Sequence, residues 1–142
     1  MDAGSSTTAW YRRPALKTAS RVAAWGCVAA LAVLSLAPAE EVVRTGLGGR
    51  IEHVVAYAGT AAVAALAYGE RGVVRILLPL VGYAAVLEFL QRYAPGRVSS
   101  LGDFLFSGAG VLLGTAAFVL ARRVLARADA VGGQRTPGGD SC

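Results

Sequence analysis

Apolar residues along this chain fall into four runs, 22–37, 51–68, 73–90 and 101–120, separated by short polar stretches. Each run is close to the roughly 17–25 residues that a helix needs to cross a hydrocarbon core. Open strands cannot serve there, because lipid leaves their backbone amides unpaired. The pattern therefore predicts an all-α fold, an integral membrane bundle of four transmembrane helices at about 21–38, 51–69, 73–93 and 101–124. Residues 1–20 and 128–142 read as disordered tails, the first of them basic, which leaves 21–127 as one membrane domain.

Composition agrees with a bilayer partner: of 142 residues, 55% are hydrophobic and 16% charged. Sidedness is read from Lys and Arg rather than from net charge. With four spans, the N-terminal tail, the middle loop and the C-terminal tail share one side. That side holds Lys17, Arg12, Arg13, Arg21, Arg71, Arg75, Arg122, Arg123, Arg127 and Arg135, against Arg44, Arg50, Arg92 and Arg97 on the other. Both termini are expected to be cytoplasmic, and the segment 88–103 is expected to face outward. The basic balance suits anchoring to anionic lipid, so no nucleic-acid partner is required.

The first span carries a second signal. Basic residues, an apolar run and Ala37-Pro38-Ala39 resemble a signal peptide with a small-residue cleavage site. The run is long for that purpose, and the favoured reading keeps it as a span. Cleavage would leave the sidedness of the other spans unchanged. Cys27 and Cys142 give no metal-ligand spacing, and neither a metal nor a cofactor is expected.

The polar residues at the span ends hold the candidate chemistry. His53 and Tyr57, four apart, share one helical face near the start of the second span. Glu52 beside them suits the positive end of that helix. Glu88, Gln91 and Arg92 stack at i, i+3 and i+4 at the end of the third. Pro95-Gly96 breaks the helix, Arg97 follows at headgroup level, and Ser99 or Ser100 is placed to cap the fourth helix. Asp103 falls in that helix's first turn. Gly110 and Gly114, four apart, form a helix-packing motif that draws Asp103 and Ser107 toward a neighbouring helix.

Glu88-x-x-Gln91, Pro95-Gly96-Arg97, Ser99, Asp103, Gly110 and Gly114, preceded by His53 and Tyr57, resemble the VanZ-like family of small bacterial membrane proteins. The resemblance covers about 50–114. It departs at Gly49-Arg50, where the family usually has Asp-Lys, and at Ser107, where it usually has Asn. Ser keeps a hydroxyl but loses the reach of the amide. The resemblance implies a multi-pass protein of the bacterial cytoplasmic membrane, linked by its family name to resistance against the glycopeptide teicoplanin.

The leading expectation is an outward-facing polar pocket of His53, Tyr57, Glu88, Gln91, Arg92, Arg97 and Asp103. Its arginines suit an anionic headgroup or carboxylate, and a cell-wall precursor or lipid-linked glycan is the expected ligand class. Two alternatives stay open. In one, Glu88 pairs with Arg92 and Asp103 with Arg97, and the protein is a structural or assembly subunit with a membrane-protein or homo-oligomeric partner. In the other, His53 and the carboxylates move protons on a lipid or glycan substrate as an enzyme would.

Overall fold

The computed structural model describes residues 14–41, 46, 48–69 and 73–133. Four helices occupy them: α1 (Pro14–Leu36), α2 (Gly49–Tyr68), α3 (Val73–Leu90) and α4 (Leu101–Gly133), with a 3-10 turn (Gln91–Tyr93) closing α3. All four helical segments are long and apolar enough to span a membrane, and the described residues contain no strand. Arg12, Arg13, Arg44, Arg71, Arg135 and Cys142 lie outside the described residues.

The helices alternate in direction. At one end, Arg21 of α1 lies over the Tyr68 ring of α2, 5.7 Å from its centroid. At the other, Arg50 of α2 lies over the Phe106 ring of α4 at 5.6 Å. There the Ala39 amide, just past α1, also donates to the Pro95 carbonyl at 3.3 Å. Residues 37–41, just past α1, and the 94–100 turn thus meet at one end of an up-down bundle.

The distribution of side chains is that of a membrane bundle. Large apolar residues face outward: Leu78 is 73% exposed and Val22 67%. The interior holds small residues such as Ala61, Ala65 and Ala84 around Tyr57, Leu87 and Val111. Two buried hydroxyls bond back within their own helices, Thr60 to the Ala56 carbonyl at 2.8 Å and Thr115 to the Val111 carbonyl at 2.7 Å. Such back-bonding satisfies a polar side chain without water. Tyr83 of α3 donates instead to the Val28 carbonyl of α1 at 2.9 Å, joining the two helices.

Helices α2 and α4 form the most extensive interface. A Cβ added at Gly110 would lie 3.0 Å from Val54 Cα and 3.1 Å from Tyr57 Cβ; at Gly114 it would lie 2.8 Å from Ala58 Cα. Only the absence of a side chain lets the two backbones approach this closely, the arrangement small-x-x-x-small sequences permit in lipid.

Two boundaries differ from those expected. Residues 14–20, assigned to the N-terminal tail, belong to α1. Pro14 at the helix start supplies a preset φ and lacks an N–H that would have no partner there. At the other end α4 continues through 128–133, also assigned to a tail. Its 33 residues span about 50 Å, against about 30 Å of hydrocarbon. Residues 121–128, which lead into it, are rich in Ala, Arg and Leu, strong helix formers that keep winding after the apolar run ends.

Gly114→Val should lower the melting temperature in detergent by an amount equivalent to at least about 1–3 kcal/mol. Gly108, where an added Cβ meets nothing within 4 Å, should accept Ala without loss. Equal stability of the Gly114→Val protein and wild type would refute the close packing of α2 on α4.

Candidate functional site

The end of the bundle where the two connections meet contains a cavity of about 380 Å³. Its wall combines the end of α1, the first two turns of α2, Gln91, residues 96–98 and Asp103 of α4. His53, Tyr57, Gln91, Arg97 and Asp103 line it, together with Glu52. Leu31, Leu34, Ala56 and Val98 supply the apolar part. Leu34 and Val98 are also exposed on the bundle surface, so the cavity borders the apolar exterior.

Arg97 is held by α1. Its Nε donates to the Ala37 carbonyl at 3.2 Å and its Nη2 to the Leu34 carbonyl at 2.5 Å. The last carbonyls of a helix have no intrahelical donors and form the negative end of its dipole, so a guanidinium suits them. Gly96, with φ +71°, makes the turn that presents Arg97 to them; a Cβ there would lie 3.2 Å from the Ala39 Cβ. The expected Asp103–Arg97 pair is absent. Asp103 lies instead 3.9 Å from Arg50, an ion pair on a side chain 65% exposed. Solvent-exposed pairs of this kind contribute about 1 kcal/mol or less.

Glu88 is buried, 8% exposed, and is not among the residues that line the cavity. Its Oε1 accepts the Ser100 backbone N–H. Ser100 stands immediately before α4, and its carbonyl accepts the Phe104 amide at 3.2 Å. The carboxylate therefore ties the end of α3 to the start of α4. The expected Glu88–Arg92 pair does not form. Arg92 is exposed, lies over the Phe89 ring at 5.3 Å, and takes no part in the cavity.

His53 and Tyr57 stack, with ring centroids 6.4 Å apart and an interplanar angle of 12°. The histidine Nδ1 lies 3.1 Å from Ser107 Oγ, and that hydroxyl donates to the Asp103 carbonyl at 2.9 Å. Ser107 is 2% exposed, so this chain of contacts runs inside the α2–α4 interface. Gln91 is 3% exposed and lines the cavity, and among the described residues no buried side-chain nitrogen or oxygen is left without a hydrogen-bond partner.

Glu52, whose sequence position suits the helix start, also lines the cavity. It stands about 100° around α2 from His53, and the wall is wide enough to include both. Among the described residues no group of three or more His, Cys, Asp or Glu side chains is placed to hold a metal ion. No protein-family model, curated protein or solved structure matches this chain.

Replacing Glu88 by Leu should destabilise the bundle by about 1–3 kcal/mol, because the part-buried Ser100 N–H loses its acceptor. Glu88→Gln, which keeps an acceptor, should lose less, and Arg92→Gln should be neutral. Thermal unfolding of the three purified variants gives the order. A loss with Arg92→Gln as large as with Glu88→Leu would reinstate the pair between them.

Proposed function

We propose that this chain is a VanZ-like integral membrane protein of the bacterial cell envelope, whose cavity binds the polar head of a lipid-linked glycan or cell-wall precursor. The observation that carries the reading is the cavity itself, whose wall brings Gln91, His53, Arg97 and Asp103 together at one end of the bundle. An amide offers two donors and an acceptor, which suits the hydroxyl and amide groups of a glycan. Arg97 adds a cation whose described hydrogen bonds go to neutral carbonyls, leaving its charge available to an anionic linkage. The volume lies within the range of small-molecule sites, and exposed Leu34 and Val98 at its edge offer contact to the lipid portion.

The Lys and Arg distribution supports cytoplasmic termini and an outward-facing cavity. That placement is accessible to precursors after they cross the membrane and to glycopeptide antibiotics. A structural role is the second reading. It is favoured by Glu88 and Arg97, which bind backbone groups and so hold the turn and α1 in place without a ligand.

The two readings separate on Gln91→Leu, which removes the amide while keeping most of the volume. Protein in nanodiscs should bind a polyprenyl-diphosphate-linked N-acetylglucosamine, and this variant should bind it about tenfold more weakly, the loss of about 1.4 kcal/mol. Arg92→Gln should bind as wild type does. Teicoplanin susceptibility of cells expressing the proteins at matched membrane abundance should follow the binding. Indistinguishable binding and susceptibility for wild type and Gln91→Leu would leave the structural reading.

A further inference from the structure

We propose that His53 is the hydrogen-accepting position of the cavity, locked as the Nδ1–H tautomer by Ser107 and offering a bare Nε2 to a ligand hydroxyl. The assignment rests on the reading of the cavity as a ligand site and specifies which hydrogen bond the ligand must donate.

The argument follows single hydrogens. Ser107 Oγ has one; the Asp103 carbonyl at 2.9 Å and His53 Nδ1 at 3.1 Å lie within its reach, as does the Tyr57 hydroxyl, which brings a hydrogen of its own. A carbonyl oxygen accepts only, so the serine hydrogen goes to Asp103. The Ser107 lone pair then meets Nδ1, and that contact is attractive only if the ring nitrogen supplies the hydrogen. The opposite tautomer would set two lone pairs against each other, or break the serine back-bond within a site where Ser107 is 2% exposed. A neutral imidazole has one N–H, so Nε2 is left as an acceptor.

Its direction follows from burial. Ser107 takes the Nδ1 edge into the α2–α4 interface and does not line the cavity, whereas His53 does. Tyr57 stacks on the ring and fixes its plane. The edge that reaches the cavity is the one holding Nε2, which has no bond to any described residue. The wall is thereby divided. His53, Glu52 and Asp103 present acceptors, while Arg97 presents donors. A sugar hydroxyl donating to Nε2 while an acceptor on the same head faces Arg97 satisfies both sides.

This chain has a single histidine, so uniform labelling with [15N]histidine reports one ring. Spectra of the protein in nanodiscs, recorded with the ring neutral, should show the hydrogen on Nδ1, and Ser107→Ala should shift the population toward Nε2–H. Adding polyprenyl-diphosphate-linked N-acetylglucosamine should move the Nε2 resonance. Soluble N-acetylglucosamine in a parallel sample separates recognition of the sugar from recognition of the lipid-linked molecule. His53→Phe should weaken binding of the active probe about tenfold.

An Nε2–H tautomer in the wild-type protein overturns the assignment, and this result does not depend on any variant folding. A probe that binds by independent titration yet leaves Nε2 unmoved overturns it as well. Failure of both probes to bind is a different result: the cavity reading falls and takes the acceptor role with it, even where the tautomer is Nδ1–H.

Discussion

The approach of two backbones, Gly110 and Gly114 of α4 against Val54 and Ala58 of α2, is the constraint on which the rest of the bundle depends. In lipid there is little hydrophobic gain from bringing helices together, so close packing and interhelical hydrogen bonds must hold them. The glycine contact also sets the register between the helices. One turn closer to the cavity, the same alignment places Ser107 3.1 Å from His53. A slip of one residue would rotate a helix by about 100° and separate those groups.

The ionisable residues at the cavity end are distributed by backbone needs more than by attraction for one another. Glu88 takes an amide at the start of one helix, and Arg97 takes carbonyls at the end of another. Each side chain therefore joins segments distant in sequence, and the 94–100 turn is held from α3 and from α1. Adjacent opposite charges would have neutralised each other locally and tied down nothing else. Gln91 and His53 take part in neither of these ties and line the cavity.

How much of this is legible in the sequence depends on the range of the interaction. The four spans are readable because a bilayer demands long apolar runs. Pairing on one helical face is readable as well: His53 and Tyr57, four apart, stack. The same spacing misleads for Glu88 and Arg92. The winding tightens at Gln91 from about 3.6 to about 3.0 residues per turn and leads Arg92 away from its neighbour. Helix ends are less visible, since the extension of α4 to Gly133 follows helix propensity rather than apolarity. Least visible are the partners of Arg97, two main-chain carbonyls some 60 residues earlier, whose identity no side chain announces.

That long-range bond gives the first helix a history in time. The carbonyls of Leu34 and Ala37 are made 63 and 60 residues before the guanidinium that covers them. At roughly 5–20 residues per second, synthesis of that interval takes about 3–12 s. Throughout it the Ala37-Pro38-Ala39 segment has neither Arg97 nor the Pro95 carbonyl to hold it. The end of the first helix is therefore fixed only when the 94–100 turn arrives, so the last-made connection finishes the first-made helix.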